Sequence, residues 1–300
     1  MIPSILIVSM TAFLGGGIVR KYFMSKDTSD TSTYLFNAVA SVVSCAVLFV
    51  WGGIESLSSF TLLLGIAFGL VTAIQAITNL KALEIGPMSY TQVIISFSTL
   101  ISAMSGTLFW GERIEWAHWV GIALMLVSFV LAVEKKGDEK GVSLRWLVMS
   151  LISFLFCGGI GVMQKLHQSS EYKEELNGFL VIAFAVSFAF SLALWFVSKR
   201  RRDTQGLWAK AESQDKRKRA VILFLVLTLI NGVAVATNHK LNLYLSGVME
   251  SAVFFPIVNG GGLVTTTLAA VIIFKERLSV KQWIGILFGT ASVVFLCNPF

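Results

Sequence analysis

The sequence predicts an all-α integral membrane protein with ten transmembrane helices, arranged as two inverted five-helix repeats. Three observations lead there. First, 55% of the 300 residues are hydrophobic and 14% charged, against roughly 25% charged in an ordinary soluble domain. The mean hydropathy is +0.77. A soluble core cannot use that much apolar surface, because the area of a folded chain grows almost as fast as its volume. Second, the apolar residues gather into ten long runs. Third, motifs of the first half return in the second.

A helix needs about 20 apolar residues to cross the hydrocarbon core. The predicted spans are 2–19, 34–53, 61–80, 87–110, 116–133, 144–164, 178–198, 220–238, 249–274 and 280–297. None alternates with a period of two, as the strands of a membrane barrel do. The first ends at Arg20-Lys21 with no basic segment before it and no small-residue cleavage site, so it reads as a retained helix and not a signal peptide. The second, fifth, seventh and tenth are plain apolar runs. The third ends in Gln75-x-x-x-Asn79-x-Lys81, and the eighth carries Asn231 and ends Asn238-His239-Lys240. The fourth opens with Ser89-Tyr90-Thr91-Gln92 and continues through Ser96 and Thr99; Gln92, Ser96 and Thr99 are spaced for one face. The sixth ends Gln164-Lys165-Leu166-His167-Gln168. The ninth opens with Glu250-Ser251 and contains Pro256 and Asn259-Gly260-Gly261-Gly262, a composition expected to kink or loosen it.

Cys45, Cys157 and Cys297 all fall inside spans, without metal or disulfide spacing. The long connection 199–219 begins Lys199-Arg200-Arg201-Arg202 and ends Lys216-Arg217-Lys218-Arg219. It reads as a topology anchor at anionic lipid and not as a nucleic-acid site. Of the 24 Lys and Arg, only Arg113, Lys165, Lys173 and Lys240 fall on the side of the termini. Basic loops stay in the cytoplasm, so both termini are expected outside a plasma (inner) membrane.

The repeat is legible in the residues. Gly111-Glu112-Arg113-Ile114 with Trp119-Val120-Gly121-Ile122 is answered, 164 residues on, by Lys275-Glu276-Arg277-Leu278 with Trp283-Ile284-Gly285-Ile286. Leu80, Ala82, Leu83, Gly86 and Met88 are answered by Leu241, Leu243, Tyr244, Gly247 and Met249. Phe13-Leu14-Gly15-Gly16 returns as Phe156-Cys157-Gly158-Gly159. The expected domains are therefore 2–133 and 144–297. Five helices is an odd number, so the second copy enters from the opposite side, and inverted repeats around a midplane site characterise secondary transporters.

Ala82-Leu83-x-x-Gly86-Pro87, a polar helix, then Gly111-Glu112-Arg113 and Gly121 resemble the EamA domain. Two such units resemble the ten-helix drug/metabolite transporter superfamily. The resemblance implies a facilitator or exchanger of small metabolites, with a central cavity lined mostly by helices one, three, four, six, eight and nine. It also implies cytoplasmic termini, whereas the charge count places them outside; the charge count is followed here.

Charge inside the spans is scarce, so the site is expected from uncharged polar groups. Candidates for solute binding are Gln75, Asn79, Tyr90, Gln92, Ser96, Gln164, Asn231, Asn238 and Asn259. An amide facing lipid would leave its donors and acceptors unpaired, which places Gln92 and Asn259 on a shared cavity. Glu250 is the candidate for protonatable coupling, and His167, if exposed, for gating. Lys81 and Lys240 could hold an anionic group, with snorkelling as the plainer role. The glycines of the first and sixth helices are expected to let neighbours approach closely. No catalytic motif, metal site or cofactor is expected. The expected function is transport of a small organic metabolite by alternating access, by a monomer or homodimer in contact with lipid. A divalent-cation carrier of the same superfamily is the alternative, though hard cations want carboxylates.

Overall fold

A computed structural model describes residues 2–26, 29–54, 57–85, 91, 94–132, 143–200, 214–274 and 279–297. Among these residues there are ten α-helices: α1 (Ile2–Lys26), α2 (Asp30–Gly52), α3 (Ser59–Ile85), α4 (Ser98–Trp110), α5 (Trp116–Ala132), α6 (Leu144–Gln168), α7 (Leu176–Arg200), α8 (Gln214–Val248), α9 (Ser251–Phe274) and α10 (Val280–Cys297). Six helical segments are long and apolar enough to cross a membrane: Ile2–Arg20, Thr31–Gly52, Ser59–Asn79, Leu144–Gln168, Lys173–Lys199 and Arg217–Val248. Shorter apolar helices cover Ile94–Trp110, Trp116–Ser128 and Val280–Leu296.

Several helices outrun their apolar stretch. The longest, α8, continues ten residues past Asn238, the expected end. The polar residues at that point do not stop it, because each packs against a side chain of another helix. Asn238 bonds Ser9, His239 sits edge-on between Phe68 and Phe184, and the Lys240 ammonium lies 4.3 Å from the Trp51 ring centre. Likewise α9 passes Pro256 and its glycines as one continuous helix.

The chain divides into two compact units: residues 1–73 with 171–242, and residues 74–170 with 243–300. Each takes helices from both halves of the sequence. In the first unit α2 packs antiparallel on α7. Thr31 Oγ1 lies 2.9 Å from Ser198 Oγ, Ser41 Oγ donates to Ser187, and Cys45 Sγ to the Val181 carbonyl. Phe23, Phe36 and Phe224 with Leu227 form a buried cluster joining α1, α2 and α8. The Ser58 amide and hydroxyl, at the start of α3, donate to the Glu175 carboxylate.

In the second unit α5 packs antiparallel on α10. Ser128 Oγ donates to the Gly285 carbonyl at 2.6 Å. At the other end of the same interface Gly121 lies against Leu296 and the Ser292 carbonyl, too close for a Cβ. Adding 164 to Gly121 and Ser128 gives Gly285 and Ser292, so the two contacts exchange the same pair of positions. The helix starts correspond as well. The Glu115 amide donates to His118 Nδ1, and at the matching positions the Ser279 amide donates to Gln282 Oε1. Trp119 and Trp283 are both exposed.

The glycines of α1 and α6 divide unevenly. Gly16 touches α8, and Gly158 and Gly161 press on α4 and α9, whereas Gly15, Gly17 and Gly159 face open space.

Candidate functional site

The second unit holds a buried ion pair. Gly111 ends α4 at φ 65°, a left-handed conformation that favours glycine. The Glu112 amide then turns back to donate to the Gly106 carbonyl at 3.2 Å, closing the helix end. This turn directs the Glu112 carboxylate inward. One oxygen accepts from the Ser251 amide, the first residue of α9, at 2.7 Å. The other lies 2.6 Å from Lys165 Nζ on α6. Lys165 also donates to the Met249 carbonyl at 3.1 Å. The side chains are only 9% and 13% exposed. A carboxylate at a helix N-terminus is favoured by the helix dipole, and charge-assisted hydrogen bonds are the strong ones. Glu112 thus fastens the end of α4, the end of α6 and the corner between α8 and α9.

The polar residues in the last turn of α6 are buried, while Leu166 between them is exposed. Gln164, His167 and Gln168 are all in the interior, and His167 Nδ1 lies 3.2 Å from Gln168 Nε2. His167, a gating candidate only if exposed, has no exposed surface here. Glu250 is exposed, and its carbonyl accepts from the Val253 and Phe254 amides at the start of α9.

Among the remaining candidates of this unit, Asn259 Nδ2 donates to Thr99 Oγ1 at 2.9 Å, tying α9 to α4, while the Asn259 residue stays exposed. Gln75 reaches Ser153 on α6 at 3.4 Å. The Asn79 side-chain oxygen is buried without a hydrogen-bond partner. Ser96 and Lys81 are half-buried. Tyr90 and Gln92 lie outside the described residues, so the pairing of Gln92 with Asn259 stays an expectation.

In the first unit α8 presents a polar seam to α1. Asn231, Asn238 and Asn242 are seven and four residues apart, hence on one face. Asn238 Nδ2 donates to the Ser9 carbonyl and hydroxyl, both at 3.1 Å. Ser9 Oγ in turn donates to Asn242 Oδ1 at 2.6 Å, and Asn242 Nδ2 to Asn238 Oδ1 at 3.3 Å. The ring is closed. Asn231, two turns away beside Gly16, is 2% exposed and its side-chain oxygen has no partner. His239 Nδ1 is also buried and unpartnered. An unpaired buried acceptor costs about 1–3 kcal/mol, so Asn231 is the residue of this seam best placed to receive a donor.

Residues 2–133 match the EamA-like transporter family. They form an EamA-like transporter domain. With this match and its long apolar helices, the chain is a multi-pass membrane protein. No curated protein matches it. One solved structure, described as "Crystal structure of protein", superposes with a TM-score of 0.68 at 14% identity, covering 97% of this chain and 94% of the other. That likeness is one of fold, and it runs through both halves of the EamA-domain chain.

Sequence reasoning passed over Glu112 as a site residue, placing it in a loop. The signal was present: an acidic residue directly after Gly111, with an acid, Glu276, again at the matching position 164 residues on, there after Lys275. Ser9 and Asn242 gave no such signal, since a single serine or asparagine in a span is ordinary.

Proposed function

We propose that this EamA-domain protein is a secondary transporter that moves a small organic metabolite across the plasma membrane by alternating access. In this reading residues 144–297 are a second five-helix repeat, inverted with respect to 2–133. The observation that carries it is the α5–α10 interface. A two-fold axis requires that if residue i touches residue j, the counterpart of j touches the counterpart of i. Ser128 on Gly285, and Gly121 on Ser292, have that form at a constant offset of 164. Counterparts related by an axis in the membrane plane run antiparallel, as α5 and α10 do, and as α2 and α7 do. Inverted halves of similar structure have two states of similar energy, one open to each side.

The solute is organic because the polar groups in the spans are amides and hydroxyls. In this proposal Asn259, exposed in an apolar helix, is a binding group of the second unit, with Gln75, Asn79, Gln92 and Gln164 extending the set there, and Asn231, with an unpaired acceptor, is the binding group of the first unit. A site of this kind selects neutral or zwitterionic solutes.

The test begins with a thermal-shift screen of purified protein against a metabolite library. Compounds that stabilise it are then assayed for flux in proteoliposomes. Saturable flux of an organic solute supports the proposal. Flux of a divalent cation, with no organic solute transported, would replace it by the cation reading.

A further inference from the structure

The first turns of α8 carry charge of the wrong sign for a helix start. Lys216, Arg217, Lys218 and Arg219 lie within its first six residues, with Asp215 as the sole acid there. A helix N-terminus is the positive end of the dipole, so four cations there oppose it. Arg217, Lys218 and Arg219 are exposed, and no described carboxylate pairs with them. The α7 end differs: Lys199 sits at a helix C-terminus, where a cation is favoured, and its ammonium lies 4.8 Å from the Trp195 ring centre.

The same side of α8 turns apolar one turn later. Arg217 and Lys218 share a face with Val221, Ile222, Leu225 and Leu229, all exposed. From Arg217 to Leu229 the helix rises about 18 Å, close to one leaflet of a hydrocarbon core roughly 30 Å thick. A cationic head above an apolar strip one leaflet long is the complement of a single anionic phospholipid.

We infer that this face of α8 is a binding site for an anionic phospholipid, its phosphate on Arg217 and Lys218 and its acyl chain along Val221, Ile222, Leu225 and Leu229. The lipid phosphate supplies the negative charge that the helix start lacks. The site depends on membrane insertion alone and stands apart from the transport proposal.

The full-length protein in nanodiscs is titrated with phosphatidylglycerol and with phosphatidylcholine, and bound lipid is counted by native mass spectrometry. Each Lys or Arg near an anionic surface contributes enough that two of them should give about a thirtyfold preference for phosphatidylglycerol. Arg217→Gln/Lys218→Gln should lose most of that preference, and the charge-retaining Arg217→Lys/Lys218→Arg should keep it. Lys135→Gln/Lys136→Gln controls for net charge and should change little. Melting of each variant in phosphatidylcholine alone identifies any that fail to fold. Equal affinity for the two lipids would overturn the inference. So would an unchanged preference in the Gln variant, or a preference reduced as much by the Lys135/Lys136 control. Binding of free glycerol phosphate as tightly as the lipid would also overturn it, by making the site one for a soluble anion.

Discussion

Glu112 and Lys165 form a buried ion pair in the second unit, and removing either partner leaves a charge with little access to water. Breaking such a pair typically costs about 3–5 kcal/mol. Glu112→Gln and Lys165→Met should therefore each lower the melting temperature strongly in detergent or nanodisc. The Glu112→Gln/Lys165→Met double variant, which buries no charge, should be more stable than the sum of the single effects implies. A double-mutant cycle on thermal unfolding measures this coupling, and additive losses would count against the pair. Asn259 offers a contrasting case. Its bond to Thr99 is one interhelical hydrogen bond, worth about 0.6 kcal/mol on average between membrane helices. Asn259→Leu should cost little stability but weaken solute binding by a few-fold to about tenfold, the value of a lost hydrogen bond. If it lowers the melting point and leaves affinity unchanged, the amide only ties α9 to α4.

At the scale of elements, the α5–α10 contact is the sharpest test of packing. A methyl group at Gly121 would stand 2.7 Å from Leu296 Cγ, a buried atom. Gly121→Ala should cost about 1–3 kcal/mol by overpacking, whereas Gly159→Ala, which meets open space, should be near neutral. Thermal unfolding of the two variants side by side checks the difference. The all-helical character and the long apolar helices were legible in the sequence, because a bilayer leaves apolar length as the dominant signal. Their ends were less so. Asn238, His239 and Lys240 read as the end of the eighth helix, yet they lie inside α8, since their partners Ser9, Phe68, Phe184 and Trp51 come from other helices, 55 to 229 residues away in the chain. The same limit hid the role of Glu112: an acid after a glycine reads as loop until the fold brings Lys165 and Ser251 to it. The polar residues of the candidate site were visible one by one, but which of them pair with each other was not. Asn238 is closed into a ring with Ser9 and Asn242, while Asn231 keeps an unpaired oxygen.

For the whole molecule, the distribution of basic residues predicts both termini outside and the segment 199–219 inside. Single cysteines at positions 206 and 298, in a background lacking Cys45, Cys157 and Cys297, test it in intact cells. A membrane-impermeant thiol reagent should label position 298 and spare position 206; the reverse pattern inverts the protein. Orientation does not alter the central claim, which is alternating access between two inverted halves. A carrier of that kind carries one solute per cycle and speeds exchange when solute is present on both sides, whereas a channel does not. Counterflow is therefore the most direct measurement. Proteoliposomes are loaded with an unlabelled solute that stabilises the protein, and uptake of the same solute in labelled form is followed. The account predicts transient accumulation of label above equilibrium, reduced by Asn259→Leu. Labelled solute that enters no faster into loaded than into empty vesicles would contradict it.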